Sequence, residues 1–213
     1  MDHRRSTSSA AEFHAADLLA DPRPGVWHHE VTGPALVLGS TQPDEVVDRA
    51  ACAAAGVEVV RRRSGGGAVL LMPGDVTWVD VVLPAGSPGW SDDVHRPMVW
   101  LGRHLAAALG GDALHVHDGP MVVTDWSRTI CFDGIGSGEV MLGDRKLVGI
   151  SQRRTRLGAR LQCCWYRRYD PRELVALLDP AHRPLVEDLL PVATWDDQPT
   201  GDVPARLARL LAT

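Results

Sequence analysis

Apolar and polar positions change period several times along this chain. Residues 1–11 are rich in Ser, Ala and Arg without any period and are expected to be disordered. Residues 12–20 have the Ala and Leu content of a short helix. Val31–Leu38 reads as a strand interrupted by a turn-like Gly33-Pro34. Gln42-Pro43-Asp44-Glu45 opens a helix, with Pro near its first position and acids in its first turn, and Gly56 stops it. The β-branched residues 57–61 predict a strand. After Gly65-Gly66-Gly67 come the run AVLLM, the turn Pro73-Gly74-Asp75 and the run VTWVDVVL, which together predict a β-hairpin. Ser91 caps a helix to about Leu109, with Val94, Met98, Leu101 and Leu105 on one face and Gly110-Gly111 at its end. Residues 114–117, 138–142, 147–151 and 160–166 are candidate strands. Asp170-Pro171-Arg172-Glu173 starts a helix, and residues 204–212 form an amphipathic one. No internal repeat is visible. The expectation is an α+β fold, a mostly antiparallel mixed sheet flanked by helices, in one domain over residues 12–213.

Composition narrows the setting. The chain has 213 residues, 45% apolar and 23% charged, with net charge −5. That is an ordinary globular profile, and its bulk charge does not suggest nucleic acid. No run is long and apolar enough for a membrane span, and the polar N-terminus has no signal-peptide core, so a cytoplasmic protein is expected. Cys52, Cys131, Cys163 and Cys164 match no zinc spacing and are read as free thiols. His115 and His117 alternate on a candidate strand but lack a third ligand at readable spacing, so no metal site is assigned. Lys146 is the only lysine beside 21 arginines. Arg replaces Lys easily on a surface, but not where a compact ammonium is required.

Two stretches carry chemistry. The first is Arg61-Arg62-Arg63-Ser64-Gly65-Gly66-Gly67-Ala68-Val69. Three glycines between strands let a backbone bend and approach a ligand, and their N–H groups form a nest for anionic oxygens. An adjacent arginine supplies forked donors for carboxylate or phosphate. No Lys-Ser/Thr follows, so this is not a P-loop. The second stretch, Cys131 to Arg154, places Lys146 at the start of a strand on which Gly149 and Ser151 alternate. A glycine within a strand marks close approach by a ligand.

Together the two stretches resemble the catalytic domain of the lipoate–protein ligase A and octanoyltransferase family, a relative of biotin–protein ligase. Its glycine motif is matched in register by Arg62, Ser64, Gly65, Gly66, Gly67, Ala68 and Val69, and its lysine motif by Asp144 to Arg153. The likeness runs over roughly residues 30–170. The chain departs from the pattern at Leu70-Leu71-Met72-Pro73, where the family has a His-Asp pair, and at Gln162-Cys163-Cys164-Trp165, where it has His-Gly. No C-terminal accessory domain is expected.

The resemblance implies a protein-lipoylation enzyme. In the ligase reading, placed first because the glycine motif is the more complete match, lipoate and Mg-ATP give lipoyl-AMP, whose acyl group passes to a lysine of a lipoyl carrier domain. Lys146 stabilises developing charge, Arg62 clamps oxygens, and Ser64, Gly65, Gly66, Gly67, Ala68, Gly149 and Ser151 line the substrate and nucleotide site. Asp80 is a candidate for ordering magnesium or an adjacent arginine, and Val69, Leu71 and Trp78 for an acyl slot. In the octanoyltransferase reading Cys131, in the context Cys131-Phe132-Asp133, takes octanoate from acyl-carrier protein as a thioester without ATP. A third reading is a non-catalytic module that binds a lipoyl domain. The implied partners are lipoyl domains of 2-oxoacid dehydrogenase complexes or the glycine cleavage H protein. Arg145–Tyr169 holds seven arginines, Lys146 and no acid, a basic stretch suited to an acidic partner.

Overall fold

A computed structural model describes residues 1–196 and 202–212. Ten strands and five α-helices follow the chain as β1 (Asp2–Ser8), α1 (Ala10–Ala15), β2 (Gly25–Val31), β3 (Ala35–Leu38), α2 (Arg49–Ala54), β4 (Glu58–Arg61), β5 (Val69–Leu71), β6 (Val76–Pro84), α3 (His95–Leu109), β7 (Leu114–Val116), β8 (Val140–Leu142), β9 (Arg145–Thr155), β10 (Gly158–Tyr166), α4 (Pro171–Val175) and α5 (Val203–Leu210). Seven strands form a sheet in the order β1-β2-β6-β10-β9-β8-β7, and three form a second in the order β4-β3-β5. Only β1–β2 and β3–β4 are parallel among the strand pairs of the described residues. The expected α+β architecture is therefore present. No helix among the described residues is long and apolar enough to cross a membrane.

Period-two alternation explains the layers. Along β6, Val79, Val81 and Leu83 enter one core with Leu101 and Leu105 of α3 and Leu207 of α5. Trp78 and Val82 point the other way, into a core between the two sheets. On β3, Val37 faces that inter-sheet core, while Leu36 and Leu38 face a third core with Leu174 and Leu178. A strand covered on both faces can be largely apolar, as β6 is apart from Thr77 and Asp80.

That double coverage overturns the expected hairpin. β5 pairs with β3, whereas β6 pairs with β2 and β10. Residues 73–75 turn a corner between sheets, with Gly74 at φ 80°. The disordered N-terminus is also corrected. Residues 2–8 pair residue for residue with β2 as an edge strand. Its composition misled because an edge strand is stabilised by backbone hydrogen bonds more than by apolar burial, and its charges fit an open edge. Ser9 then caps α1 reciprocally with Glu12, and the helix starts earlier and ends sooner than expected. The helix expected from Gln42 divides into a 3-10 turn at Asp44–Val46 and α2, which Asp48 caps. α3 begins at His95, where Asp93 rather than Ser91 accepts the His95 N–H at 2.8 Å.

Candidate active site

A cleft opens between the two sheets. Its walls are apolar, with Val69 and Leu71 from β5, Trp78 from β6, and Phe132 and Ile150 opposite. Cys131, Ser151 and Cys164 also line it. An apolar lining of this kind suits the hydrocarbon part of a ligand.

The glycine triplet forms one rim, and Arg62 holds it in shape. Arg62 is buried, and its guanidinium donates to Val37 O at 3.3 Å, Gly65 O at 2.8 Å and Gly67 O at 2.8 Å. In this arrangement Arg62 braces the glycine turn through carbonyls while its side chain also lines the cleft. Gly66 has φ 103°, a conformation that L side chains rarely adopt. Gly67 is small for a different reason. A Cβ there would stand 2.6 Å from Cys131 N. Ala68 stitches the same contact, its N–H donating to Thr129 O at 2.8 Å and its carbonyl accepting Cys131 N–H at 3.0 Å. The motif thus seats the backbone of Cys131.

Ser64 lies beneath this rim, fully buried. Its Oγ donates to Gln162 Oε1 at 2.8 Å and shares a 2.9 Å hydrogen bond with Ser151 Oγ. Gly149 faces the cleft, but a Cβ there would first meet the Phe132 ring at 3.1 Å. Its smallness makes room for Phe132, not directly for a ligand.

Lys146 enters at the start of β9 and is 3% exposed. Its Nζ lies 2.7 Å from Glu139 Oε1 and donates to Cys131 O at 2.9 Å and Gly134 O at 3.0 Å. Burial opposes the charged amine most strongly, yet the Glu139 carboxylate and the Cys131 side chain together raise its affinity for the proton above that of an ordinary lysine. Cys131 and Lys146, fifteen positions apart in sequence, are therefore one cluster. Cys164 also borders it, but burial pushes its thiol up to about 12, and burial also drives Cys163 well above the ordinary thiol value. Cys131 and Cys164 are both partly exposed cleft thiols, and Cys131 is the one whose carbonyl the ammonium meets.

Sequence reasoning missed Glu139, Gln162 and His14. Glu139 is an acid in a Gly-rich turn with no motif around it. Its proximity to Lys146 seven residues later is the one available signal. His14 lines the cleft and stacks on Trp78 with centroids 4.7 Å apart. Burial, then the charges of Arg160 and Arg62, lower its pKa to about 3. Behind the cleft Asp80 accepts from Trp78 Nε1 at 2.7 Å, from Gln162 Nε2 at 3.3 Å and from Arg160 Nε. Of the two options for Asp80, the adjacent arginine is the one found.

The basic stretch does not form a single surface. Arg160 is buried, Arg153 pairs with Asp17 at 3.1 Å, and Arg168 pairs with Asp75 at 2.6 Å and Glu173 at 2.9 Å. His117 Nε2 lies 2.8 Å from Pro120 O on the far edge of the sheet. The one group of metal-ligating side chains among the described residues is His3, His28 and Asp202, which lies outside the cleft lining and whose Asp202 is engaged by Arg5 and by the N-terminus of α5.

Comparisons with known proteins agree with this geometry. The model of the lipoyl protein ligase A/B catalytic domain matches residues 13–187. No curated protein sequence matches the chain. Among solved structures, protein Ta0514 from T. acidophilum with bound lipoic acid superposes with a TM-score of 0.67 at 19% identity, over 98% of this chain and 84% of that one. Lipoate-protein ligase A bound with ATP gives 0.69 at 19% identity, over 98% and 83%. A bi-partite lipoate protein ligase from Thermoplasma acidophilum, described with its E2 lipoyl domain, gives 0.68 at 15% identity, over 99% and 80%. At these identities the likeness is one of fold.

Proposed function

Because the chain belongs to the lipoyl protein ligase A/B catalytic-domain family, and is an enzyme of that superfamily, we propose that it transfers a medium-length acyl group to a lysine of a lipoyl carrier domain through a thioester on Cys131. The observation that carries this reading is the seating of Cys131. The glycine rim closes on its backbone, its side chain lines the apolar cleft, and the Lys146 ammonium donates to its carbonyl.

The chemistry is two acyl exchanges. The Cys131 thiolate attacks the carbonyl of an acyl thioester on a carrier protein, and the carrier thiol leaves with a proton. The ε-amine of the acceptor lysine then attacks the enzyme thioester. An amide forms, and Cys131 leaves as the thiol. In both steps negative charge develops on the acyl oxygen, and Lys146, held at rest by Glu139, Cys131 O and Gly134 O, would have to turn one N–H toward it. Val69, Leu71 and Trp78 hold the hydrocarbon tail by apolar burial.

The ATP-dependent reading draws on the fold shared with lipoate-protein ligase A bound with ATP. It asks more of these residues. Among the described residues Arg62 is the one permanently charged side chain lining the cleft, and most of its N–H groups already meet carbonyls. Asp80, considered for magnesium, is already paired with buried Arg160.

The test uses an apo lipoyl domain as acceptor and intact mass as readout. Octanoyl-acyl-carrier protein without ATP is expected to modify the domain and to leave an octanoyl adduct on the enzyme that Cys131→Ser abolishes. Modification only with lipoate and Mg-ATP, unaffected by Cys131→Ser, would overturn the thioester reading in favour of the ligase.

A further inference from the structure

Glu139 belongs to neither motif, yet it is 3% exposed and joins three segments. Its Oε1 lies 2.7 Å from Lys146 Nζ and accepts the Ile150 N–H of β9 at 3.1 Å. Its Oε2 accepts the Gly136 N–H at 2.7 Å. Two backbone donors and one ammonium thus meet a group that can only accept. Lys146 in turn donates to the carbonyls of Cys131 and Gly134 and stands 4.8 Å from the centroid of Phe132. Through a single ammonium, the carboxylate is connected to the turn that carries Cys131.

The titratable groups facing Lys146 are Glu139 from the turn before β8, Cys131 from its 3-10 turn and Cys164 from β10. Glu139 is the only carboxylate among them. A buried ammonium with no anion beside it gives up its proton, because burial penalises the charged form. Neutral Lys146 would offer the acyl oxygen no positive charge.

We propose that Glu139 is the positioning residue of this site: it keeps Lys146 charged and holds that charge against the turn bearing Cys131. Its consequence for turnover rests on the acyl-transfer reading, whereas its effect on Lys146 does not. Glu139 touches no substrate in this role, since all its contacts are to Lys146 and to backbone N–H groups.

The chain offers a direct test, because Lys146 is its single lysine. Protein labelled with ¹³C at lysine Cε gives one resonance that titrates with this amine. In the wild type it is expected to keep the charged-form shift beyond the pH range of an ordinary lysine. In Glu139→Gln the titration is expected to move down by at least about one pH unit. Glu139→Asp, which keeps the charge but shortens its reach, is expected to lie between them. Acyl transfer at neutral pH follows the same order, with Glu139→Gln at least about tenfold slower and Glu139→Asp partly restored. A Glu139→Gln resonance that titrates with the wild type would overturn the proposal. If Glu139→Gln does not fold, an Asp variant that titrates and turns over like the wild type overturns it instead. A wild type whose lysine behaves as expected but which transfers no acyl group would sink the functional reading and leave the placement of Lys146 standing.

Discussion

Two ion pairs are buried among the described residues, and they are built differently. Arg160–Asp80 lies behind the cleft, with side chains 3% and 0% exposed. Its partners complete each other. Trp78 and Gln162 also donate to Asp80, and Arg160 donates to the carbonyls of Ala16 and Phe13. Lys146–Glu139 is as deeply buried but sits beside the cleft thiol. Arginine cannot release its proton in a protein, whereas a buried lysine exchanges or keeps it according to its neighbours. The first pair binds α1 to two strands of the main sheet. The second holds a responsive charge against the turn that carries Cys131. Burial alone therefore does not mark a structural pair; the cation and what it faces decide.

Lys146→Met should break the comparison most visibly. Single-turnover transfer from the enzyme thioester is expected to fall by roughly a hundredfold or more, the scale of losing one oxyanion donor. Turnover within threefold of wild type would return this pair to a structural role. Asp80→Asn acts on the other side. It leaves Arg160 buried without its anion, so urea denaturation should show a loss of about 3–5 kcal/mol, while the folded fraction retains most of its transfer rate. A stable but inactive variant would mean that the rear pair also takes part in chemistry.

The smallest expected effect concerns His14, which lines the cleft beside Trp78. Its folded pKa of about 3 is below its unfolded value of 6.5. The unfolded state then binds more protons between these values, so the contribution of neutral His14 is complete above about pH 6.5 and is lost as pH falls towards 3. Between pH 7 and 4.5 this amounts to about 2–3 kcal/mol. His29, lowered to about 2 mainly by burial, adds in the same direction. Urea titrations of wild type and His14→Leu at both pH values should show a smaller acid loss in the variant. Parallel losses would show that His14 does not contribute to the acid sensitivity.

Much of the fold was legible because it depends on local signals. Apolar alternation located β6, β9 and β10, and the glycine run and lone lysine marked the site. Pairing was less legible. Three residues of β5 cannot declare whether they join β6 or β3, since that depends on which sheet has an unmet edge. β1 was missed because its stability comes from hydrogen bonds to β2, whose position was not yet known.

The sequence by itself determined the order of elements, the family likeness and the residue types at the cleft, because periodicity and glycine requirements are properties of short stretches. Only the tertiary structure decided how the charges are used. It set Arg62 as a brace for the glycine turn, paired Arg153, Arg160 and Arg168 of the basic stretch with separate acids, and set Glu139 against Lys146. The reason is physical: a charge in a closed core takes the nearest partner in space, and its energy depends on distance and burial that no linear pattern contains.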